Sequence, residues 1–215
     1  MRRGRVVIEE FESAVLAGNA AGDPARRRVP VYLPPSHDED PTRRYPVVFV
    51  LTGFGGRGRM LLNDNPWSPA LDDRMDALIA SGRVREAILV MPDCFTAYGG
   101  SQYLDSAATG AYETHLVREL VPWIDARHRT LASRDHRGVM GKSSGGYGAL
   151  RLAMRHPDVF GALATPLHRQ GPRLTLSLLS GAAHSPEEVA VLARRLVEVV
   201  GKPYEIDGHH IVIGT

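Results

Sequence analysis

A single cysteine, Cys94, occurs in the 215 residues, so no disulfide can form within the chain. That excludes a disulfide-stapled scaffold and fits a reducing compartment. A surplus of one charge is also missing: 26 Lys and Arg stand against 24 Asp and Glu, a formal net charge of +2. Nucleic acid as the main partner would call for a basic surplus that is not there. No apolar run approaches the roughly twenty residues of a membrane span, and Val6-Val7-Ile8 is too short for a signal-peptide core. The expectation is a cytoplasmic protein with no membrane span. Internal repeats and low-complexity segments are absent as well. The arginine clusters Arg2-Arg3, Arg26-Arg27-Arg28 and Arg43-Arg44 lie in terminal, turn-like or Pro-containing surroundings and are expected on solvated edges.

What is present suffices for one domain spanning 1–215: 43% of the residues are hydrophobic, and the length is short for two cores. Val6–Phe11 and Arg28–Leu33 read as short strands, followed by a loop through Pro34-Pro35 and Ser36–Arg44. Pro46–Leu51 is nearly all apolar, the mark of a strand buried on both faces of a parallel sheet. Strands and helices then alternate: a helix over Leu71–Ser81, a strand over Ala87–Met91, and a helix from about Ala111 to Arg127. In that last helix Tyr112, Leu116, Leu120 and Ile124 recur every four residues, and Pro122 should kink or restart it. A short strand at Arg137–Met140, a helix over Gly146–Arg155 and strands at Phe160–Ala164 and Leu174–Leu179 follow. Ser185-Pro186-Glu187-Glu188 has the cap, proline and acids of a helix start, and Gly201 closes that helix. This order argues for a mostly parallel α/β sheet with helices on both faces.

Gly141-Lys142-Ser143-Ser144-Gly145 lies between a strand and a helix. A chain reversing that tightly needs small residues on either side, and it lifts the central hydroxyl clear of the sheet at a helix N-terminus. Ser143 is therefore the candidate nucleophile; the bland alternative is a small-residue turn that merely packs helix on strand. Gly53-Phe54-Gly55-Gly56-Arg57-Gly58 also satisfies Gly-x-Gly-x-x-Gly. No helix pattern starts at its last glycine, however, and Asp72 and Asp73 fall in a helical segment, not at a strand end. No cofactor is expected there. The glycines fit better as a turn that lets the backbone N–H of Phe54 approach an oxyanion beside the N–H of Ser144.

The segments YPVVFVLTGFGG (Tyr45–Gly56), MPDCFTAYGGSQYLDS (Met91–Ser106) and Tyr112–Phe160, which contains GVMGKSSGGYGALRLAMRHPDVF, resemble the putative-esterase branch of the α/β-hydrolases. That branch includes S-formylglutathione hydrolases (esterase D type), enterochelin esterases, feruloyl esterases and mycolyltransferases. The resemblance covers about three quarters of the chain. It implies an α/β-hydrolase fold, an acyl-enzyme on Ser143 and an oxyanion hole from the N–H groups of Phe54 and Ser144. Three departures stand out. Thr52 occupies a position where the branch often has His. The usual cap is short or absent, with only about ten residues around Pro166–Arg173 available. Where the branch places an aspartate after a strand-ending glycine, here Gly181, this chain has His184.

A serine needs a base, and the base an orienting group. In this fold the histidine comes last, which points to Asp207-Gly208-His209-His210. Adjacent residues on an extended segment face opposite ways, so one of His209 and His210 serves and the other does not. Glu187 is a weak candidate acid; Glu187 and Glu188 read more simply as first-turn helix acids, and Asp207 is too close along the chain to orient the histidine. A metal on His184, His209 and His210 is not expected, because the spacing suits no single ion. The expected activity is carboxylic-ester hydrolysis of small or accessible esters. Acyl transfer at the same site, and a catalytically weakened scaffold that binds a ligand or partner, are the alternatives.

Overall fold

The computed structural model describes residues 2–63 and 68–165, together with the backbone of strand residues 166–168, 172–178 and 211–213. Strand β1 (Arg5–Glu12) pairs antiparallel with β2 (Arg26–Leu33) in a register that sets Arg5 opposite Leu33. Then come β3 (Val47–Leu51), helix α1 (Leu71–Ala80), β4 (Ile88–Val90) and a small ribbon of β5 (Asp105–Ser106) with β6 (Gly110–Ala111). A long helical segment follows, made of α2 (Tyr112–Thr114), a π-helical stretch (His115–Leu120) and α3 (Val121–Arg127). The remainder is β7 (Arg137–Gly141), α4 (Ser144–Arg155), β8 (Ala162–His168), β9 (Pro172–Leu178) and β10 (Ile211–Ile213).

The large sheet has the order β1-β2-β4-β3-β7-β8-β9-β10. Its centre, β4-β3-β7-β8, is parallel throughout. All five residues of β3 are buried, because each face meets a separate core. Val47, Phe49 and Leu51 join Tyr112, Leu116, Leu120 and Ile124 together with Ala149 and Leu152 of α4. Val48 and Val50 join Leu71, Met75 and Leu78 of α1. Each such side chain contributes about 1.5–3 kcal/mol by leaving water, so β3 is the strand both layers are built on. No helix among the described residues is long and apolar enough to cross a membrane.

Three local features differ in detail from the sequence reading. A recurrence of exposed-to-core positions at four-residue intervals drifts by about 40° per step around an ideal α-helix. The wider turns of the π stretch take up that drift, so Tyr112, Leu116, Leu120 and Ile124 all reach one core. Pro122 then lies in the first turn of α3, directly after the π stretch. Second, β8 and β9 pair antiparallel, with His168 opposite Pro172. A parallel return takes a dozen or more residues, and three separate these strands. Third, Arg27 is no solvated edge: it is 4% exposed, and its guanidinium donates to the Phe95 carbonyl at 2.8 Å and to the Tyr112 hydroxyl.

His115 is fully buried between the rings of Phe11 and Tyr112. Burial, reinforced by the charge of Arg27 and opposed by Glu119, pushes its pKa down to about 4. Burial also lowers His128 and His37. The unfolded chain takes up a proton on His115 near pH 6.5, whereas the folded protein does so only near 4. Stability contributed by the neutral ring is therefore complete above pH 6.5 and is lost as pH falls through that window. Thermal melts should lose about 1–3 kcal/mol between pH 7.5 and 4.5, and His115→Gln should flatten that dependence. An unchanged slope in the variant would mean that other groups carry it.

Candidate active site

β7 enters the site buried at all five positions and ends at Gly141. Two residues later the backbone of Ser143 takes φ 55° and ψ −124°, a left-handed conformation rare for a residue with a side chain. Ser144 opens α4, and the N–H of Tyr147 already bonds the Ser143 carbonyl at 3.0 Å. The turn is this sharp because α4 begins almost against β3. A Cβ on Gly145 would stand 2.4 Å from the Leu51 carbonyl oxygen and 2.6 Å from that of Thr52; one on Gly141 would meet the Gly145 backbone at 2.6 Å. The result is an exposed Ser143 at a helix N-terminus, where unbonded N–H groups and the helix dipole favour negative charge.

The glycine-rich turn after β3 lies directly opposite. Gly53 faces the Cβ of Ser143 at 3.7 Å from its own Cβ position. Gly55 has φ 75° and donates to the Gly99 carbonyl at 2.8 Å, and Gly56 donates back to Gly53 at 3.0 Å. Thr52, where the resembling branch often has His, closes the turn by donating its hydroxyl to the Gly56 carbonyl at 3.0 Å. The Phe54 ring lies over Gly99 and Gly100 and remains 62% exposed. Gly58 opens only a five-residue 3-10 turn, Gly58–Leu62. Phe54 follows the end of β3 and Ser144 the end of β7, two strands that are neighbours in the sheet.

Two residues that sequence reasoning left without a role tie these pieces together. Gln102 and Tyr103 both have left-handed backbones, φ 54° and 58°. The Gln102 amide oxygen accepts the Ser144 hydroxyl at 2.8 Å. Tyr103 is buried, donates its hydroxyl to the Thr52 carbonyl at 2.7 Å, and sets its ring against Gly148 of α4. Burial raises its pKa well above the usual phenol value, so the hydroxyl keeps its proton and donates. Only the preceding Gly99-Gly100 hints at an unusual backbone there. The far end of α4 is held by Glu113, which accepts from Arg151 (3.2 Å), Arg155 (2.8 Å) and His156 (2.8 Å).

His209, His210 and Glu187, like His184, Glu188 and Asp207, lie outside the described residues. Among the described residues no histidine ring bonds the Ser143 hydroxyl, and no group of three or more His, Cys, Asp or Glu is placed to hold a metal ion.

A model of the Putative esterase family matches residues 23–167, from the turn before β2 to the end of β8. The chain belongs to that family. An endo-1,4-β-xylanase/feruloyl esterase of Xylanibacter ruminicola is 30% identical over 170 residues, 74% of this chain and 20% of that protein. An esterase of Mycobacterium tuberculosis is 38% identical over 86 residues, 40% of this chain and 18% of its own. The chain thus spans about a fifth of the length of the curated relatives it matches. The structure of a ferulic acid esterase superposes with a TM-score of 0.62 at 27% identity, covering 93% of this chain and 69% of the other. The family's fold is the α/β-hydrolase fold, and the parallel strands β4-β3-β7-β8 with helices on both faces are consistent with it.

Glycine-to-alanine exchanges in this esterase-family corner should separate sharply by position. At Gly145 the added methyl would collide with two carbonyls of β3, so Gly145→Ala should cost about 3 kcal/mol or more, or prevent folding. At Gly138, one strand length away, the nearest atoms would be at 3.7 Å, and Gly138→Ala should stay within about 1 kcal/mol. Chemical denaturation of the two variants measures the difference; equal costs would contradict the close approach of α4 to β3.

Proposed function

We propose that this chain is a serine carboxylic-ester hydrolase, acting as one catalytic domain on small or accessible esters. The observation that carries the reading is the exposed hydroxyl of Ser143, held in a left-handed turn at the start of α4 and faced by the glycine turn of Gly53–Gly58. Ser143 Oγ attacks the ester carbonyl carbon while its proton passes to His209 or His210. The tetrahedral oxyanion accepts hydrogen bonds from the N–H groups of Phe54 and Ser144. The same histidine returns the proton to the departing alcohol, leaving an acyl-serine, and water admitted by the same base releases the acid. Glu187 remains the weak candidate for orienting the histidine. Acyl transfer differs only in an alcohol replacing that water.

Oxyanion donors work by preorganisation, and removing one costs roughly 2.7–4 kcal/mol in well-studied cases. Gln102 does not donate to the oxyanion; it holds the residue that does. Gln102→Ala should therefore lower kcat about tenfold, about 1.4 kcal/mol, with KM little changed. A rise in KM at constant kcat would instead place Gln102 in substrate binding.

Fluorophosphonate labelling followed by peptide mapping tests the nucleophile directly. Ser143 should carry the label. Ser143→Ala should abolish it and reduce turnover of p-nitrophenyl acetate by at least about a thousandfold. The names of the relatives make methyl ferulate the first aromatic ester to assay beside it. Full turnover in Ser143→Ala would overturn the assignment, and an unlabelled wild type would favour the ligand-binding scaffold.

A further inference from the structure

Three consecutive arginines on a strand cannot share one environment, because alternate side chains face opposite ways. Arg26 and Arg28 are exposed and lie across from the acids of β1: Arg26 meets Glu12 at 2.9 Å and Glu10 at 3.8 Å, and Arg28 meets Glu10 at 3.7 Å. Arg27 is buried instead. Its guanidinium is satisfied by a carbonyl and a phenol, its Nε has no acceptor, and no carboxylate among the described residues is in ion-pair contact with it. Taking a cation out of water without a counter-charge costs several kcal/mol.

Two further arginines converge on the same place from the turn after β3. Arg57 stacks on the Phe95 ring, 4.0 Å from its centroid, and pairs with Asp93 at 3.2 Å. Arg59 is exposed and has no hydrogen-bond or ion-pair partner among the described residues. All five arginines line one cleft of about 320 Å³, with Asp23 and Asp93 as its acids. Both acids are already engaged, Asp23 by the N–H of Ala97 at 2.9 Å and Asp93 by Arg57 and the N–H of Phe95 at 3.0 Å. Among the described residues Arg27 and Arg59 are the two arginines of the cleft with no carboxylate in ion-pair contact; set against the charge of Asp23, which a neutral N–H does not cancel, they leave one positive charge in surplus.

The cleft is formed by the segments that leave the C-terminal ends of β3 and β4, the sheet end at which Ser143 stands. Arg57 follows Phe54 by three residues, so their Cα atoms are at most about 11 Å apart. A cleft with a net positive charge attracts an anion, and guanidinium forks suit the oxygens of a phosphate or sulfate group. We infer that this cleft receives a phosphate or sulfate group at the remote end of the ester substrate, making anionic esters the preferred substrate class. The inference rests on the ester-hydrolase reading for the word substrate, and on the cleft alone for the anion.

Inorganic phosphate, titrated at constant ionic strength against chloride, tests the anion site without any turnover. The melting temperature should rise saturably by several degrees in phosphate and not in chloride, and Arg59→Glu should abolish the rise. A p-nitrophenyl ester of a phosphonoalkanoic acid should show a KM at least tenfold below that of its hydroxyl-terminated counterpart. Arg59→Glu should erase that difference while leaving p-nitrophenyl acetate turnover unchanged. If Arg59→Glu does not fold, Arg59→Ala replaces it, since the side chain is exposed. No saturable rise in phosphate, or a rise that survives the substitution, overturns the anion site. A rise without any KM advantage overturns the substrate assignment. A wild type that cleaves neither ester defeats the hydrolase reading and leaves the phosphate titration to judge the cleft.

Discussion

The close approach of α4 to the end of β3 sets the rest of the site. With the first turn of the helix pressed against the carbonyls of Leu51 and Thr52, no side chain fits at Gly145, none fits at Gly141, and the intervening chain must reverse within three residues. Ser143 pays no packing penalty in that reversal because its side chain leaves the sheet altogether, but its backbone is held in a region that costs roughly 1–3 kcal/mol. The burial of β3 on both faces supplies the rigidity against which that strain persists.

The same closeness brings two chain segments of different origin together at one end of the sheet. The turn after β3 carries Phe54, and the start of α4 carries Ser144; nothing in either segment alone fixes their separation. Gln102 and Tyr103 do so from a third, by bonding the Ser144 hydroxyl and the Thr52 carbonyl respectively. Glu113 holds the other end of α4 to the neighbouring helical segment. Burial alone would raise its pKa, but the hydrogen bonds of Arg155 and His156 and the charges of both arginines outweigh that and keep it ionised.

Charge placement follows the sheet in a similar way. Balanced overall composition conceals a local excess where β2 begins beside the turns that follow β3 and β4. Arg26 and Arg28 find acids one strand away, as surface residues on paired strands commonly do, and such pairs contribute little. Arg27 faces inward only because the alternation of β2, fixed by Val29, Val31 and Leu33 in the core, leaves it no other side.

The amino-acid sequence by itself determined the alternation of strands and helices, the two-sided burial of Pro46–Leu51, and the small-residue corner around Ser143. These depend on local periodicity and on the steric demands of neighbours in the chain, which composition and spacing record directly. The helix from Tyr112 to Arg127 was legible down to its four-residue recurrence, though not the π turns that make the recurrence work. Tertiary structure alone decided the rest. The antiparallel return of β8 to β9 depends on which strands become neighbours. The inward turn of Arg27 depends on which face of β2 meets the core, and the left-handed backbones of Gln102 and Tyr103 are sustained by contacts with residues far away in the chain. Long-range contacts of that kind leave no local periodicity to read, because the energy that pays for them resides in partners tens of residues distant.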